Sequence, residues 1–245
     1  MLKASSVTRR FGDVHAVQEL DLSVSSGELF CLLGANGAGK TTTINLFLGF
    51  LAPDSGKVTV GDVEPSVDPK GARKQLAYIP ENVALYSQLT GLENVRLFCQ
   101  MGGKDLDDDT VGKLVERSGL SLDQMNRAVS GYSKGMRQKV GLTIAYAREA
   151  SALLLDEPLS GLDPAAANDF CEELFKLREG GAAVLMTTHD IFRAKALGGT
   201  IGIMRAGRMV EIVDASAVDA QDLERLYLHH MRAESALTDE PEPAT

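Results

Sequence analysis

No run of roughly 18 or more apolar residues, the length a membrane-crossing helix requires, occurs in the chain. No segment is therefore expected to span a bilayer. Residues Met1 to Arg10 lack the apolar core of a signal peptide. Cysteine is scarce. Cys31, Cys99 and Cys171 are odd in number and far apart, which excludes a disulfide framework and a zinc-binding spacing and fits a reducing compartment. Positive charge is in deficit: 25 Lys and Arg against 34 Asp and Glu give a net charge of −9. Broad, non-specific binding of nucleic acid is not expected from that balance. Internal repeats are absent. The stretch from Glu234 to Thr245 is acidic and proline-containing with little to bury, and is expected to be a disordered tail.

What remains has the composition of an ordinary globular protein, 44% hydrophobic and 24% charged in 245 residues, enough for one large domain with an insertion. Residues 2–8 and 16–24 alternate like strands, apolar runs at 29–33 and 76–79 add two more, and a short strand is expected over 57–60 after the turn Pro53 to Gly56. The texture then turns helical. Thr90-x-x-Glu93 is a capping box opening a helix over 91–101, a second helix is expected over 107–118, and a third from Ser133 to about Glu149. Strand and helix alternation resumes with strands at 152–155, 182–187, 200–205 and 208–213. A helix opens at Asp163-Pro164, and a terminal helix covers 220–231. The pattern predicts an α/β domain over 1–233, its core formed by 1–81 and 149–233 and interrupted by a helical insert over 82–148.

The apolar run Leu29 to Leu33 leads directly into Gly34-Ala35-Asn36-Gly37-Ala38-Gly39-Lys40-Thr41. This is the pattern G-x-x-x-x-G-K-[ST], followed by Thr42 and a helix expected over 41–50. Strand, glycine loop and helix together form a phosphate-binding device. Glycine lets successive backbone N–H groups wrap around phosphate oxygens, and the helix N-terminus favours the anion. Lys40 brings a cation to the terminal phosphates, and the Thr41 hydroxyl is suited to magnesium.

A nucleotide hydrolase also needs oxygen donors for the metal and a group to polarise water. The run Ala152 to Leu155, apolar throughout like a buried parallel strand, ends in Asp156-Glu157-Pro158. Asp156 is placed to hold magnesium and Glu157 to polarise the attacking water. Phosphoryl transfer depends mainly on such positioning and charge stabilisation.

Between these sites lies Tyr132-Ser133-Lys134-Gly135-Met136. Alone, Ser133 reads as a helix N-cap. In this company the chain resembles the ATP-binding-cassette (ABC) ATPases, whose signature Leu-Ser-Gly-Gly-Gln opens a helix of the inserted subdomain. Ser133 and Gly135 match it; Tyr132, Lys134 and Met136 depart. Further elements fall in order. Ser160-Gly161-Leu162-Asp163 resembles the loop that meets the opposite subunit, His189 the switch histidine that senses the terminal phosphate, and Phe11 the aromatic that stacks on adenine. For Phe11 a place in a satellite of the core is the competing reading. Where the family has Gln, this chain has Glu81, which keeps an oxygen for magnesium or its water.

The resemblance covers about residues 2–230. It implies a P-loop NTPase (RecA-like) core with an antiparallel β subdomain and an inserted α-helical subdomain, ATP and Mg2+ as cofactors, and ATP hydrolysis as the activity. It further implies a second ATPase subunit, either another copy or a paralogue, whose Ser133 and Gly135 face the first subunit's loop. Through the branch it looks most like, it implies an integral-membrane permease on a separate chain, with export as that branch's usual role, placing the protein peripherally at the cytoplasmic face of the cell membrane. Val83, Leu85, Tyr86 and Leu89 read either as contacts for the permease or as core residues of the insert. The alternative function is a non-transport mechanical ATPase on a ribosome or nucleic-acid complex. One cassette, a compact insert and the acidic charge count against it.

Overall fold

A computed structural model describes residues 1–232; the segment expected to form an acidic tail lies outside the described residues. The chain opens with two long strands, β1 (Leu2–Phe11) and β2 (Val14–Val24). They pair antiparallel and run on to Phe11 and Val14, further than the sequence pattern indicated. The cause is a tight two-residue turn, in which Gly12 takes φ 59°, a conformation suited to hairpin connections. The strand β4 (Ser55–Val60) adds to the free edge of β1, completing a three-stranded antiparallel sheet in the order β2-β1-β4.

The second sheet organises the molecule. It contains β3 (Leu29–Leu33), β5 (Leu76–Ile79), β6 (Ala152–Asp156), β7 (Ala183–Thr188), β8 (Thr200–Arg205) and β9 (Arg208–Asp214), in the order β5-β6-β7-β3-β8-β9. All neighbours pair parallel except β8 and β9. Every residue of β3, β6 and β7 is buried, as expected of central parallel strands covered on both faces. The register brings their carboxyl ends level: Leu33 is opposite Thr188, Thr187 opposite Asp156, and Leu155 opposite Ile79.

Helices α1 (Lys40–Phe47) and α2 (Pro69–Gln75) follow β3 and β4. The first is shorter than the expected 41–50, because Gly49 turns the chain at φ 68°, where a Cβ would press on the Pro65 carbonyl, leaving Phe50 exposed. The second was not read from sequence, although Asp68 caps it through the Gly71 N–H and Pro69 opens it. Next come α3 (Gly91–Met101), α4 (Asp108–Arg117), α5 (Leu122–Met125), a single 3-10 turn at Val129–Gly131, and α6 (Lys134–Ala147). These pack around a core of their own that includes Val95, Cys99, Leu114, Met125, Tyr132 and Val140. The chain closes with α7 (Pro164–Glu179), α8 (Ile191–Leu197) and α9 (Ala220–Arg232). Two further clusters fill the two faces of the large sheet: Phe170, Leu174, Leu197 and Leu223 on one, Ile44, Phe47 and the small sheet on the other.

Candidate functional site

Because β3, β5, β6 and β7 are parallel and level, the loops leaving their carboxyl ends converge at one edge, where open α/β sheets bind ligands. The loop after β3 contains Gly34, Asn36, Gly37, Ala38 and Gly39. The loop after β6 begins with Glu157, that after β5 reaches Glu81, and that after β7 contains His189. A cavity of about 320 Å³ lies there, lined by Asn36 through Thr42 together with Glu81, Asp156 and Glu157. Ala35 and, from the β1–β2 hairpin, Val14, His15 and Ala16 complete its wall.

The loop's shape needs its glycines. Gly39 takes φ 107°, and a Cβ there would collide with the Ala16 carbonyl. A Cβ on Gly34 would strike the Met204 carbonyl. Lys40 is buried and folds back over the loop, its Nζ donating to the Gly34 carbonyl at 2.7 Å and the Ala35 carbonyl at 3.2 Å. Thr43, one turn on, donates to the Gly39 carbonyl at 3.0 Å. This cradle fits a chain of phosphates: its wall is backbone N–H and glycine, and its cation is preorganised.

The carboxylates are held with equal definition. Thr187 Oγ1 donates to Asp156 Oδ1 at 2.6 Å and accepts the Glu157 N–H at 3.1 Å. Glu157 itself has φ 49°, a left-handed conformation that costs a non-glycine residue on the order of 1 kcal/mol or more and that clusters at functional sites. Its Oε1 lies 3.2 Å from Lys40 Nζ as an ion pair without a directed hydrogen bond, and its Oε2 lies 2.9 Å from His189 Nδ1. The chain thus brings Lys40, Glu157 and His189 into one contiguous row. Beneath them Cys31 is wholly buried; burial, with the negative charges of Glu157 and Asp190, pushes its thiol up to about 12.

Magnesium is bound by one or two carboxylates plus phosphate oxygens rather than by an all-protein cage. Asp156, Glu81 and the Thr41 hydroxyl, all on the cavity wall, are donors of that kind.

Three expected residues lie elsewhere. Phe11 is 47% exposed, outside both the core and the cavity wall, with the Arg9 guanidinium 4.9 Å from its ring centre. A satellite-core role for Phe11 is therefore excluded, and the hairpin residues that do line the cavity, Val14 to Ala16, were missed. Only their place three to five residues beyond Phe11 on a hairpin tip signalled them. Ser133 is exposed and caps α6, its Oγ accepting the Met136 N–H at 3.2 Å. Gly135 is buried against α7, where a Cβ would sit 3.0 Å from Ala166 Cβ. Neither lines this chain's cavity.

Residues 17–160 match the family described as ABC transporter. The chain belongs to that family. It is similar to the uncharacterised ABC transporter ATP-binding protein YdbJ of Bacillus subtilis, with 33% identity over 97% of this chain and 76% of that protein. It is also similar to the bacitracin transport ATP-binding protein BcrA of Enterococcus faecalis, with 31% identity over 88% of this chain and 70% of that one. Among solved structures, an ATP-binding subunit of an ABC transporter superposes with a TM-score of 0.82 at 28% identity, over 94% of this chain and 99% of that one. A dimeric bacterial ABC transporter cassette shares the fold, with a TM-score of 0.77 at 24% identity, over 88% of this chain and 99% of that one. The large sheet with its converging loops is the ATPase core of an ABC transporter ATP-binding subunit, and its activity is ATP hydrolysis.

Of the segment after Glu81, Val83 and Leu85 are partly buried against the two neighbouring cores, and Leu89 is half-buried. Tyr86 is 52% exposed and stacks at a tilt on Phe98, ring centres 6.1 Å apart. The open choice between surface and core thus divides: Val83 and Leu85 belong to the core, Tyr86 to the surface.

Proposed function

We propose that this chain is the peripheral motor of an ABC exporter, working as a pair of ATPase subunits at the cytoplasmic face of the membrane and driving a permease encoded separately. The observation that carries the pairing is the division of the site. One cavity holds Asn36 to Thr42, Glu81, Asp156 and Glu157, whereas Ser133 stands exposed at the tip of α6, away from it. A second subunit brings its own Ser133 and Gly135 to the open side of the nucleotide, and the α6 N-terminus is suited to face phosphate.

In this reading the loop from Gly34 to Thr42 binds the phosphates and Lys40 neutralises their charge. Phe11 stacks on the base. Thr41, Asp156 and Glu81 supply the oxygens for Mg2+, which when bound neutralises charge on the phosphates. Glu157 accepts a proton from the attacking water, and His189 holds the Glu157 carboxylate in the required orientation through its Nδ1 contact. Differential affinity of the closed pair for the nucleotide states then makes a two-state switch. Exposed Tyr86, in the segment after Glu81, gives the permease an apolar contact. Export is favoured by similarity to an ATP-binding protein of bacitracin transport. Among the described residues no helix is long and apolar enough to cross a membrane.

The test is gentle detergent extraction of the tagged full-length protein from its own membranes, followed by mass spectrometry. A stoichiometric polytopic protein is the expected companion. Recovery from the soluble fraction with ribosomal or DNA-associated partners would overturn the transport reading.

A further inference from the structure

Glu81 is gripped from one side by a single helix. On α6, Lys134, Gln138 and Gly141 follow at helical spacing, so they share a face, and that face lies along the end of β5. Gly141 meets Ile79, where a Cβ would be 3.6 Å from its side-chain carbons. One turn earlier, Gln138 is fully buried and its Nε2 donates to the Pro80 carbonyl at 3.2 Å and the Glu81 carbonyl at 3.0 Å. The two carbonyl acceptors fix the orientation of the amide, and its Oε1 is left buried without a hydrogen bond. One turn earlier again, Lys134 Nζ lies 3.5 Å from the Glu81 carboxylate. The same ammonium is 3.8 Å from where a Cβ on Gly161 would be, so it also covers the turn after Glu157.

We propose that Lys134 and Gln138 are positioning residues that clamp Glu81, Gln138 through its backbone and Lys134 through its carboxylate, so that the attitude of α6 sets the reach of Glu81 into the phosphate cavity. This rests on the reading of Glu81 as an oxygen donor to Mg2+. The geometry divides the work. Burial of Gln138 between two carbonyls makes it the rigid anchor, because breaking it strands buried polar groups. Lys134, with 27% of its side chain exposed, is the adjustable partner. Its charge cancels that of Glu81 at the rim of a site built for anions. Both charges stand where the family pattern quoted above has neutral residues, and they stand against each other. Lys134 and Gln138 thus tie Glu81 to α6 at both its carboxylate and its backbone.

The experiment is Mg2+ titration of ATPase activity in the full-length chain, with nucleotide affinity measured separately in EDTA. Glu81→Ala is expected to raise the Mg2+ concentration at half-maximal rate about tenfold or more, and Gln138→Met by about tenfold, the range for partners that orient a metal ligand. Lys134→Gln is expected to raise it about two- to fivefold, as for a partly exposed ion pair, and Lys134→Arg to retain the wild-type value. Affinity in EDTA stays within about twofold throughout. In the Glu81→Ala background, Lys134→Gln adds nothing. If Glu81→Ala leaves the Mg2+ dependence unchanged, the metal reading fails and the clamp with it. If Glu81→Ala shifts it while Lys134→Gln and Gln138→Met do not, or if the Lys134 effect is the same with and without Glu81, the clamp alone is overturned. Thermal melting checks that Gln138→Met folds; the Lys134 variants carry the test where it does not.

Discussion

Lys40 Nζ lies 3.2 Å from Glu157 Oε1 while the Gly34 carbonyl accepts from the same ammonium at 2.7 Å. The cation proposed for phosphate and the carboxylate proposed for water are therefore in contact across the cavity. Removing either one leaves the other as a charge without its partner in a largely buried place, a costly arrangement. Lys40→Ala is expected to weaken ATP binding about ten- to a hundredfold, the loss of charge-assisted hydrogen bonds. Calorimetric titration in the presence of Mg2+ measures it, and unchanged affinity would remove Lys40 from the phosphate site.

Glu157→Gln keeps the shape and loses the proposed base. Hydrolysis is expected to fall about 100- to 10,000-fold, the range for a positioned general base, with ATP affinity retained and a nucleotide-bound pair accumulating. Phosphate release and gel filtration with ATP read the two effects. Normal turnover would assign water activation elsewhere.

Thr187 serves both acidic residues at once, donating to Asp156 and accepting from the Glu157 backbone. Thr187→Val preserves volume and leaves the Glu157 N–H without its acceptor. A loss of about 1–3 kcal/mol of stability is expected from the unsatisfied buried group, with Thr187→Ser recovering most of it. Urea unfolding checks this, and equal behaviour of Val and Ser would show that the hydroxyl does no work.

Asn94 is fully buried, and its side chain satisfies Tyr86 twice, accepting its N–H at 2.8 Å and donating to its carbonyl at 3.1 Å, with the Thr90 carbonyl at 2.9 Å as well. Asn94→Leu should loosen residues 86–90 while the nucleotide site persists. Hydrogen exchange is expected to rise there, with ATP affinity unaltered. Protection kept at wild-type level would contradict the assignment.

The Cys31 thiol ionises near 12 in the folded chain against 9.0 for a free thiol. Above pH 9 the unfolded state releases this proton first, so the folded state binds more protons and stability falls as pH rises from 9 to about 12. The slope attributable to this group reaches about 1.4 kcal/mol per pH unit. Urea unfolding at pH 8 and pH 10, with Cys31→Ala as reference, isolates it. Rapid alkylation of the folded chain at pH 8 would contradict the burial.

Much of this architecture was legible in the residues because local chemistry and global need agreed. The runs Leu29–Leu33 and Ala152–Leu155 are apolar throughout and short, as doubly covered strands are, and the motifs that follow each fix where they end, so both were read to within one residue. The Thr90–Glu93 capping box forms both of its hydrogen bonds. What escaped were short helices whose signals are two residues long. Asp68-Pro69 opens α2, Ser121 and Gln124 cap α5, and Asp190 caps α8. Each holds too few turns for a periodicity. At the site, Lys40, Asp156 and Glu157 follow from motifs, but the hydroxyl of Thr187 and the amide of Gln138 do not. Their work is to reach across to segments far away in sequence, which spacing along the chain does not record.

The level carboxyl ends of β3, β6 and β7 also impose an order on biosynthesis. The phosphate loop leaves the ribosome well before its companions, and β7, which separates β3 from β6 in the sheet, is made later than both. Until Ala183–Thr188 enters, the glycine loop and the acid pair have no common scaffold, and non-local parallel pairing of this kind is slow. A nascent chain halted before that strand therefore carries the complete nucleotide motif without a nucleotide site, and retention of ATP becomes a readout of near-complete folding.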